Sequence, residues 1–505
     1  GEMYNYGYLY TTSMYVANNS FHNYGNFYPG GYKNTSNALV DGSLKTYAGS
    51  SIYLDVDVLN TVTSHDTITV TGLAQLAGEL VPQARSILPG TYNLIQAGTL
   101  TGQSSMVDTL VFDWRSAVVA GNQIVATPTA HFTSAGYALT DNQNSVASYL
   151  QRAWEQSDVG RASVFGYIHE FAQGDTAGYQ NTLNQLSGQV LNSQAIQMKT
   201  VFATALTDSL SCPMVTEQGL KLNQSDCVWA QITGSLAEQS ANSSNSGYNV
   251  SAGGIRLGAQ KQVNTQWSTG FALGYANNYL TSTGLTSNGQ FFNASVSLKR
   301  DVDQWSFGGS LGLAYGSFDN NRTPQLGANG AAAAMSDLYT SSANMAMVGM
   351  RLRTAYTFER ADHYIKPYVD LDLIYSSVSG YTESGSGPLA LKANSSNQYN
   401  VAISPMVEFG TDMVTDGKRR IKSYVSAGAS FLPNNNVSTQ MAFANGVAGT
   451  GTYDVITNGP SVLGRLNLGI QAFEANDLEV RAQYGLQVGD GYWSQSLSAN
   501  LVYRF

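Results

Sequence analysis

The chain ends in the stretch SLSANLVYRF, Ser496–Phe505, in which apolar and polar residues alternate. Successive side chains of a β-strand point to opposite faces, so this stretch predicts a strand with one apolar and one polar face. Such an apolar face packs either against a protein core or against lipid, and the rest of the sequence has to decide between the two. The residues on the apolar face are Leu497, Ala499, Leu501, Tyr503 and Phe505.

The same alternation recurs from Val228 to the end of the chain, and it predicts about twelve strands. It is clear in WSFGGSLGLAYGSF, Trp305–Phe318, where the odd positions carry most of the large apolar side chains. It is equally clear in YIKPYVDLDLIYS, Tyr364–Ser376. Each run is long enough for the roughly 9–11 residues that a tilted strand needs to cross a bilayer.

Composition narrows the class of protein. Charged residues make up only 12% of the 505 residues, and mean hydropathy is −0.15. No run approaches the roughly 18 consecutive apolar residues of a membrane helix, which excludes a helical membrane protein. The 51 glycines and 31 tyrosines favour strands and tight turns. A net charge of −9 argues against a nucleic-acid partner, which would require a basic face.

The polar face of these strands distinguishes a membrane barrel from a soluble barrel. In a soluble barrel this face would be an ordinary charged surface. Here its side chains are small and polar, with few charges, as expected for a narrow water-filled lumen. We therefore predict that residues 227–505 form a twelve-stranded antiparallel transmembrane β-barrel whose last strand closes it and faces lipid. Connection lengths support this, since short and long links alternate. The short links are 262–266, 301–303 and 475–478, and the long ones are 320–341, 380–396 and 433–460.

The N-terminal region repeats itself. NYGYLYT at Asn5–Thr11 recurs as NYGNFYP at Asn23–Pro29, and VDGSLKT at Val40–Thr46 continues the rhythm, in steps of 18 and 17 residues. Such a step is about one coil of a parallel β-solenoid. With further β-rich runs to Thr129, residues 1–130 are predicted to be the end of a solenoid. A coincidental Tyr-Gly repeat in a β-sandwich is the open alternative.

A helical pattern separates the two β regions. We predict a linker at 131–176 and a helical segment at 177–226, with helices at Ala177–Asn192 and Ser193–Ser209. Cys212 and Cys227, the only cysteines, either form a disulfide in an oxidising compartment or are buried free thiols. The chain begins at Gly1 without an initiator Met, so we expect either a processed targeting peptide or the C-terminal part of a longer chain.

Several stretches together resemble the C-terminal unit of a monomeric (type Va) autotransporter of Gram-negative bacteria. YAGSSIYLDVDV, DTITVTG and LPGTYNLIQAGTLTG resemble the last passenger segment, which caps the β-helix and assists its folding outside the cell. NQNSVASYLQ and LNQLSGQV resemble the linker into the pore helix. VWAQITGS, GGIRLGAQKQV, STGFALGYANN, IKPYVDLDLIY and GYTESGSGPLAL resemble the translocator barrel, and the terminal YRF resembles its assembly signal.

The resemblance implies a barrel in the outer membrane, threaded by a helix near Ser193–Ser209 that joins an external passenger to the first strand. It implies outer-membrane lipid, the barrel-assembly machinery, periplasmic chaperones and the chain's own passenger as partners of a monomer. The assembly signal would be Leu501, Tyr503 and Phe505. No Asn-Asn pair occurs in Gly160–Leu210, so the self-cleavage of some family members is not carried over. The residues that would line the pore, or merely hydrate it, are Arg351, Arg353, Asp370, Asp372, Glu408, Glu479 and Arg481.

An enzymatic function has little support in the sequence. GGSLG at Gly308–Gly312 matches G-x-S-x-G, but a nucleophile elbow needs a strand-to-helix turn, and Ser310 lies in the middle of a predicted strand. There is no H-E-x-x-H motif and no Cys/His cluster. We predict no catalytic residue, no metal site and no cofactor.

Three functions from different classes are compatible with this organisation. The first is secretion of the chain's own N-terminal passenger. The second is adhesion, in which a retained solenoid binds other cells through its Tyr-rich rungs. The third is a simple diffusion pore, against which the predicted helix argues.

Overall fold

The structure, a computed structural model, describes residues 1–119, 121–210, 226–242, 246–360, 363–415, 419–473 and 478–505. It consists of a parallel β-solenoid, a helical segment and a closed twelve-stranded antiparallel barrel with an α-helix inside it. The predicted fold class is therefore confirmed. No helix among the described residues is both long and apolar enough to span a bilayer.

The solenoid has two sheets that face each other across an apolar interior. One sheet has the order β1-β3-β5-β7-β9-β12-β11 and the other β10-β8-β6-β4-β2, with parallel pairing except for the antiparallel β11 and β12 at the end. The strands are β1 (Met3–Asn5), β2 (Tyr8–Thr11), β3 (Ser13–Asn23), β4 (Asn26–Pro29), β5 (Asn37–Thr46), β6 (Ser51–Asp57), β7 (Thr67–Leu76), β8 (Glu79–Ser86), β9 (Tyr92–Gly102), β10 (Ser105–Met106), β11 (Phe112–Val119) and β12 (Gln123–Ala130).

The predicted rung spacing is right once and wrong once. Met3 pairs with Phe21, which is the predicted step of 18 residues. Phe21 in turn pairs with Leu44, so the second rung is longer than the predicted 17 residues. The reason is the link from β4 to β5, which spans residues 30–36, whereas Thr12 alone links β2 to β3. Within β3, a register shift between Tyr15 and Ser20 lies opposite Gly42, whose φ of 139° fits glycine rather than a residue with a Cβ.

The segment predicted as a linker is largely helical in the structure. Thr140 caps the first helix in a reciprocal capping box with Gln143, and Gly188 ends the third helix with a φ of 69°. The helices predicted at Ala177–Asn192 and Ser193–Ser209 are confirmed as α3 with a following turn and as α4. The helices are α1 (Asp141–Glu155), α2 (Ala162–His169), α3 (Thr176–Ser187) and α4 (Ser193–Asp208), with 3₁₀ turns at Ala135–Tyr137, Val159–Arg161 and Gln189–Asn192.

Twelve long strands form the barrel wall, and the last of them, β29, pairs with the first, β13. The short β19 extends the wall, whereas β21, β22, β25 and β26 form a separate small sheet in the connections. The strands are β13 (Cys227–Gln239), β14 (Tyr248–Gln262), β15 (Trp267–Ser282), β16 (Leu285–Val302), β17 (Trp305–Arg322), β18 (Tyr339–Tyr356), β19 (Phe358–Glu359), β20 (His363–Val378), β21 (Tyr381–Thr382), β22 (Leu391–Ala393), β23 (Ser396–Thr415), β24 (Arg419–Phe431), β25 (Asn436–Phe443), β26 (Tyr453–Asn458), β27 (Val462–Phe473), β28 (Leu478–Gly489) and β29 (Tyr492–Arg504).

The two ends of the barrel differ as the sequence predicts. At one end, which we call the turn end, β13 begins, β29 ends, and links such as 263–266 and 303–304 are short. At the other, the loop end, the links 323–338, 379–395 and 432–461 are long. An even number of strands brings both chain ends of the barrel to the turn end.

The long links fold into a structured cap at the loop end. Here α1–α3, the sheet of β21, β22, β25 and β26, and the end of the solenoid share one continuous apolar core. Tyr149 of α1 packs against Phe443 with 5.6 Å between ring centroids. Asn142 donates to the backbone oxygen of Ile456 at 2.7 Å, and Arg152 donates to that of Thr450 at 2.9 Å. The solenoid is thus held on the mouth of the barrel.

Candidate functional site: the helix-filled lumen

Helix α4 lies inside the barrel and packs against one side of the wall. Met198, Phe202 and Leu206 are buried on the face of α4 that meets β16, β17, β18 and β20. Their partners on the wall include Phe291 and Met347, which belong to the same apolar cluster. This part of the lumen is dry and close-packed.

Glycines in the wall allow α4 to approach closely. A Cβ added to Gly312 would lie 2.6 Å from Cδ2 of Leu206, and one added to Gly349 would lie 2.7 Å from Cε1 of Phe202. Gly316 contacts Met198 in the same way, at 3.0 Å. We call Gly312, Gly316 and Gly349 the glycine groove. Glycine inside a strand often marks a close backbone approach, which was the available signal in the sequence, but the prediction did not use it.

The C-terminal end of α4 is fixed by polar side chains of the wall. Ser310 donates to the backbone oxygen of Leu206 at 2.9 Å, and Ser297 donates to that of Ser209 at 2.6 Å. Lys299 donates to the oxygen of Leu210 at 2.9 Å. These contacts satisfy carbonyls that have no partner within a helix, and the lysine also complements the negative end of the helix dipole. The serine of the G-x-S-x-G match thus caps a helix.

An ion pair and hydrogen bonds also hold the sides of α4. Asp208 of α4 forms an ion pair with Arg256 of β14. Nearer the loop end, Gln194 donates to Asn278 at 2.8 Å and Gln197 donates to the Tyr248 hydroxyl at 3.0 Å. None of these residues was among the predicted site residues, because each becomes relevant only through a partner distant in sequence.

Four of the predicted lumenal charges form two ion pairs across β18 and β20. Arg351 lies directly opposite Asp372, and Arg353 lies opposite Asp370. Both pairs are bidentate, with N–O distances of 2.5 Å for Arg351 and of 2.6 and 2.7 Å for Arg353. Bidentate charge-assisted hydrogen bonds are among the strongest polar contacts in proteins. The four side chains form a ladder on the inner wall.

The other predicted lumenal charges are also paired, but in separate clusters. Glu408 accepts from Lys366 at 2.7 Å and from the Tyr364 hydroxyl at 2.6 Å. Elsewhere on the wall, Glu479 forms ion pairs with Arg481 and with Arg504. The structure therefore distributes the predicted set along the wall and does not gather it into one site.

The predicted assembly signal lies on the outer face of the closing strand. Leu501, Tyr503 and Phe505 are 50%, 49% and 71% exposed, and Tyr503 pairs with Val228 across the β13–β29 seam. Cys227 is buried, whereas Cys212 lies outside the described residues, so their disulfide stays a prediction. In the part of the chain that the structure describes, no group of three or more His, Cys, Asp and Glu is arranged to hold a metal ion.

Residues 228–485 match the family described as autotransporter beta-domain. The chain is similar to the translocator domain of the autotransporter NalP from Neisseria meningitidis, with 14% identity, a TM-score of 0.44, and coverage of 62% of this chain and 98% of that one. The beta domain of the Bordetella autotransporter BrkA is 16% identical, with a TM-score of 0.38 and coverage of 56% of this chain and 100% of that one. The transport unit of the autotransporter AIDA-I from Escherichia coli is 14% identical, with a TM-score of 0.36 and coverage of 60% of this chain and 97% of that one. No curated protein sequence matches the chain.

Proposed function

Because the chain belongs to the autotransporter beta-domain family, its barrel is a secretion barrel of the bacterial outer membrane, and we propose that it both exports and anchors its own N-terminal passenger. In this proposal the barrel-assembly machinery and periplasmic chaperones insert the barrel as a monomer. The turn end faces the periplasm and the loop end faces the outside. No enzymatic activity is part of the proposal.

The single observation that carries the proposal is the path of the chain through the lumen. The solenoid and α1–α3 lie at the loop end, α4 descends inside the barrel, and β13 begins at the turn end. A polypeptide that starts outside and continues into the wall through the pore must have crossed that pore. Since the periplasm offers no nucleotide triphosphate, we propose that folding of the solenoid outside makes the crossing directional.

Anchoring follows from how α4 and the cap are held. The glycine groove, the Asp208–Arg256 ion pair and the contacts of Ser297 and Ser310 fix α4 in the lumen. The cap adds an apolar core between the passenger and the long links. We therefore propose that the passenger stays attached after export.

The export proposal is tested by breaking the closing strand. Leu501→Pro removes a backbone N–H from the β13–β29 seam, where Leu501 pairs with Ala230, and deletion of Phe505 removes the end of the predicted signal. We expect both changes to abolish surface display of an epitope placed near Gly1. Leu501→Ile is the matched control, because it keeps the apolar outer face and the N–H. Undiminished display in the proline variant would contradict the proposal.

A second candidate function, adhesion by the retained solenoid, is favoured by an exposed ladder of tyrosines. Tyr6 stacks on Tyr24 at 5.0 Å between ring centroids, and Tyr24 stacks on Tyr47 at 3.9 Å. Tyr6 is 74% exposed. Cell aggregation measured before and after protease shaving tests this function, and recovery of the intact passenger in the medium would contradict both anchoring and adhesion.

A further inference from the structure

A cavity of about 400 Å³ runs through the barrel beside α4. It lies between the side of α4 that faces away from the glycine groove and the opposite wall, and Thr204 of α4 projects into it. Its lining extends from Trp229 near the turn end to Asn435 and Pro460 near the loop end. A second cavity of about 340 Å³ at the loop end shares Asn435 and Pro460 with the first, so the two cavities adjoin there.

The cavity is basic in an acidic protein. Among the described residues that line it, eight lysine and arginine side chains face five carboxylates, although the whole chain carries a net charge of −9. Four of the five carboxylates are already neutralised, since Asp370 and Asp372 pair with arginines, Glu408 pairs with Lys366 and Asp208 pairs with Arg256. The excess of positive charge is therefore a property of the lumen rather than of the chain.

Two of these eight cations lie where the cavity passes α4 and contribute to the excess. Lys199 on α4 donates to the backbone oxygen of Asn436 at 3.2 Å, and Arg465 on β27 donates to the Ser430 hydroxyl at 3.3 Å. Within the described part of the chain, neither forms an ion pair, and Nε of Arg465 has no hydrogen-bond partner. Both cations line the same cavity. They leave positive charge that a mobile anion can approach.

We propose that this cavity is a narrow path for small inorganic anions, such as chloride, which persists while α4 fills the rest of the lumen. Charged side chains set the selectivity of narrow pores, and lysine and arginine favour anions. The low-dielectric wall strengthens their field, which attracts anions and repels cations. The inference is independent of the secretion proposal, because it concerns the assembled barrel at rest.

The test is an ion-selectivity measurement on the purified full chain in a planar bilayer under a potassium chloride gradient. We expect a small steady conductance in which chloride is several-fold more permeant than potassium. Lys199→Glu combined with Arg465→Glu should reverse this preference, and Lys199→Gln combined with Arg465→Gln, which disturbs folding less, should reduce it. Lys199→Arg with Arg465→Lys keeps the charge and should keep the selectivity. Arg115→Glu combined with Lys392→Glu, at exposed positions of β11 and β22, changes the net charge by the same amount and is the matched control.

Two results would overturn the proposal. One is a conductance no greater than that of lipid alone, in protein whose barrel is shown to be folded by its heat-dependent mobility in a gel. The other is a selectivity that the glutamate and glutamine pairs leave unchanged. Thr204→Trp distinguishes a current through this cavity from a current through a lumen that α4 has transiently left, because a bulky side chain at this position fills the cavity. We expect Thr204→Trp to block the current, and a current that it leaves intact would contradict the proposed route.

Discussion

The solenoid and the barrel are both built from alternating strands, but they direct their apolar side chains to opposite sides. Leu44 and Ile68 of the solenoid point inward and are 0% exposed. Leu311 and Leu497 of the barrel point outward and are 56% and 63% exposed. Because a strand has the same two faces in both regions, the pattern alone does not say which face meets the solvent. The polarity of the second face and the closure of the sheet decide it.

The interiors of the two regions also treat carboxylates differently. In the solenoid, Asp66 is 0% exposed and accepts from the backbone nitrogens of Ser36 and Asp55 at 2.6 and 2.8 Å. In the barrel, Asp370 is paired with Arg353 through two charge-assisted hydrogen bonds. The interior of the solenoid thus offers Asp66 backbone donors, whereas the polar lumen offers Asp370 a cation. Because of this difference, we expect substitutions in the solenoid and in the barrel to have different effects.

The largest expected difference comes from the same truncation in both regions. Leu44→Ala should lower the free energy of unfolding of the solenoid by about 2–5 kcal/mol, because it leaves a cavity that the packed interior cannot fill. Leu311→Ala should cost the barrel only about 1–2 kcal/mol, since fluid acyl or detergent chains fill the space. Urea titrations of the purified protein measure both, with pulse proteolysis of the solenoid reporting on that region and heat-dependent gel mobility reporting on the barrel. Equal losses would mean that Leu311 lies in a protein core.

The sequence predicted the barrel well because its evidence is local. Three features can be recognised without knowing which strands pair: the alternation within each strand, the polar character of the second face and the alternating lengths of the links. The solenoid was harder, because the link at residues 30–36 between β4 and β5 lengthens a rung without changing the pattern of its strands. The segment before α3 was predicted as a linker although Thr140 and Gln143 form a capping box there, a signal that the sequence contained.

The candidate site was predicted only in outline. Arg351, Arg353, Asp370 and Asp372 could be assigned to the lumenal parity, but their bidentate pairing depends on the register between β18 and β20. The glycine groove depends on the depth and rotation of α4 in the lumen, which no local pattern encodes. Tertiary packing therefore decides how the helix is held, and the sequence indicates only that it is held.

A smaller effect is expected where the barrel interior is itself dry. Gly312→Val should push Leu206 and Phe202 away from the wall and destabilise the seating of α4 by about 1–3 kcal/mol, the usual cost of overpacking. Hydrogen exchange measured by mass spectrometry should show faster exchange in Ser193–Asp208 while the wall stays protected. Gly309→Val is the matched control, since its Cβ would point outward and lie at an ordinary 3.6 Å from Leu352. Identical exchange in both variants would show that close approach at Gly312 does not seat the helix.

The last expected effect is a pH dependence of the solenoid, which is small for each pH unit. Burial raises the pKa of Asp66 from its usual value of 3.8 to about 8, and it raises the pKa of Asp55 to about 6. The folded chain then keeps a proton on Asp66 where the unfolded chain has lost it, so stability falls as pH rises from about 4 to about 8, by up to about 1 kcal/mol per pH unit. Asp66→Asn cannot ionise and should flatten this slope in urea titrations at several pH values, whereas Asp41→Asn at the surface of β5 should keep it. Parallel slopes for the wild type and Asp66→Asn would place the acid in a wetter interior than the structure gives it.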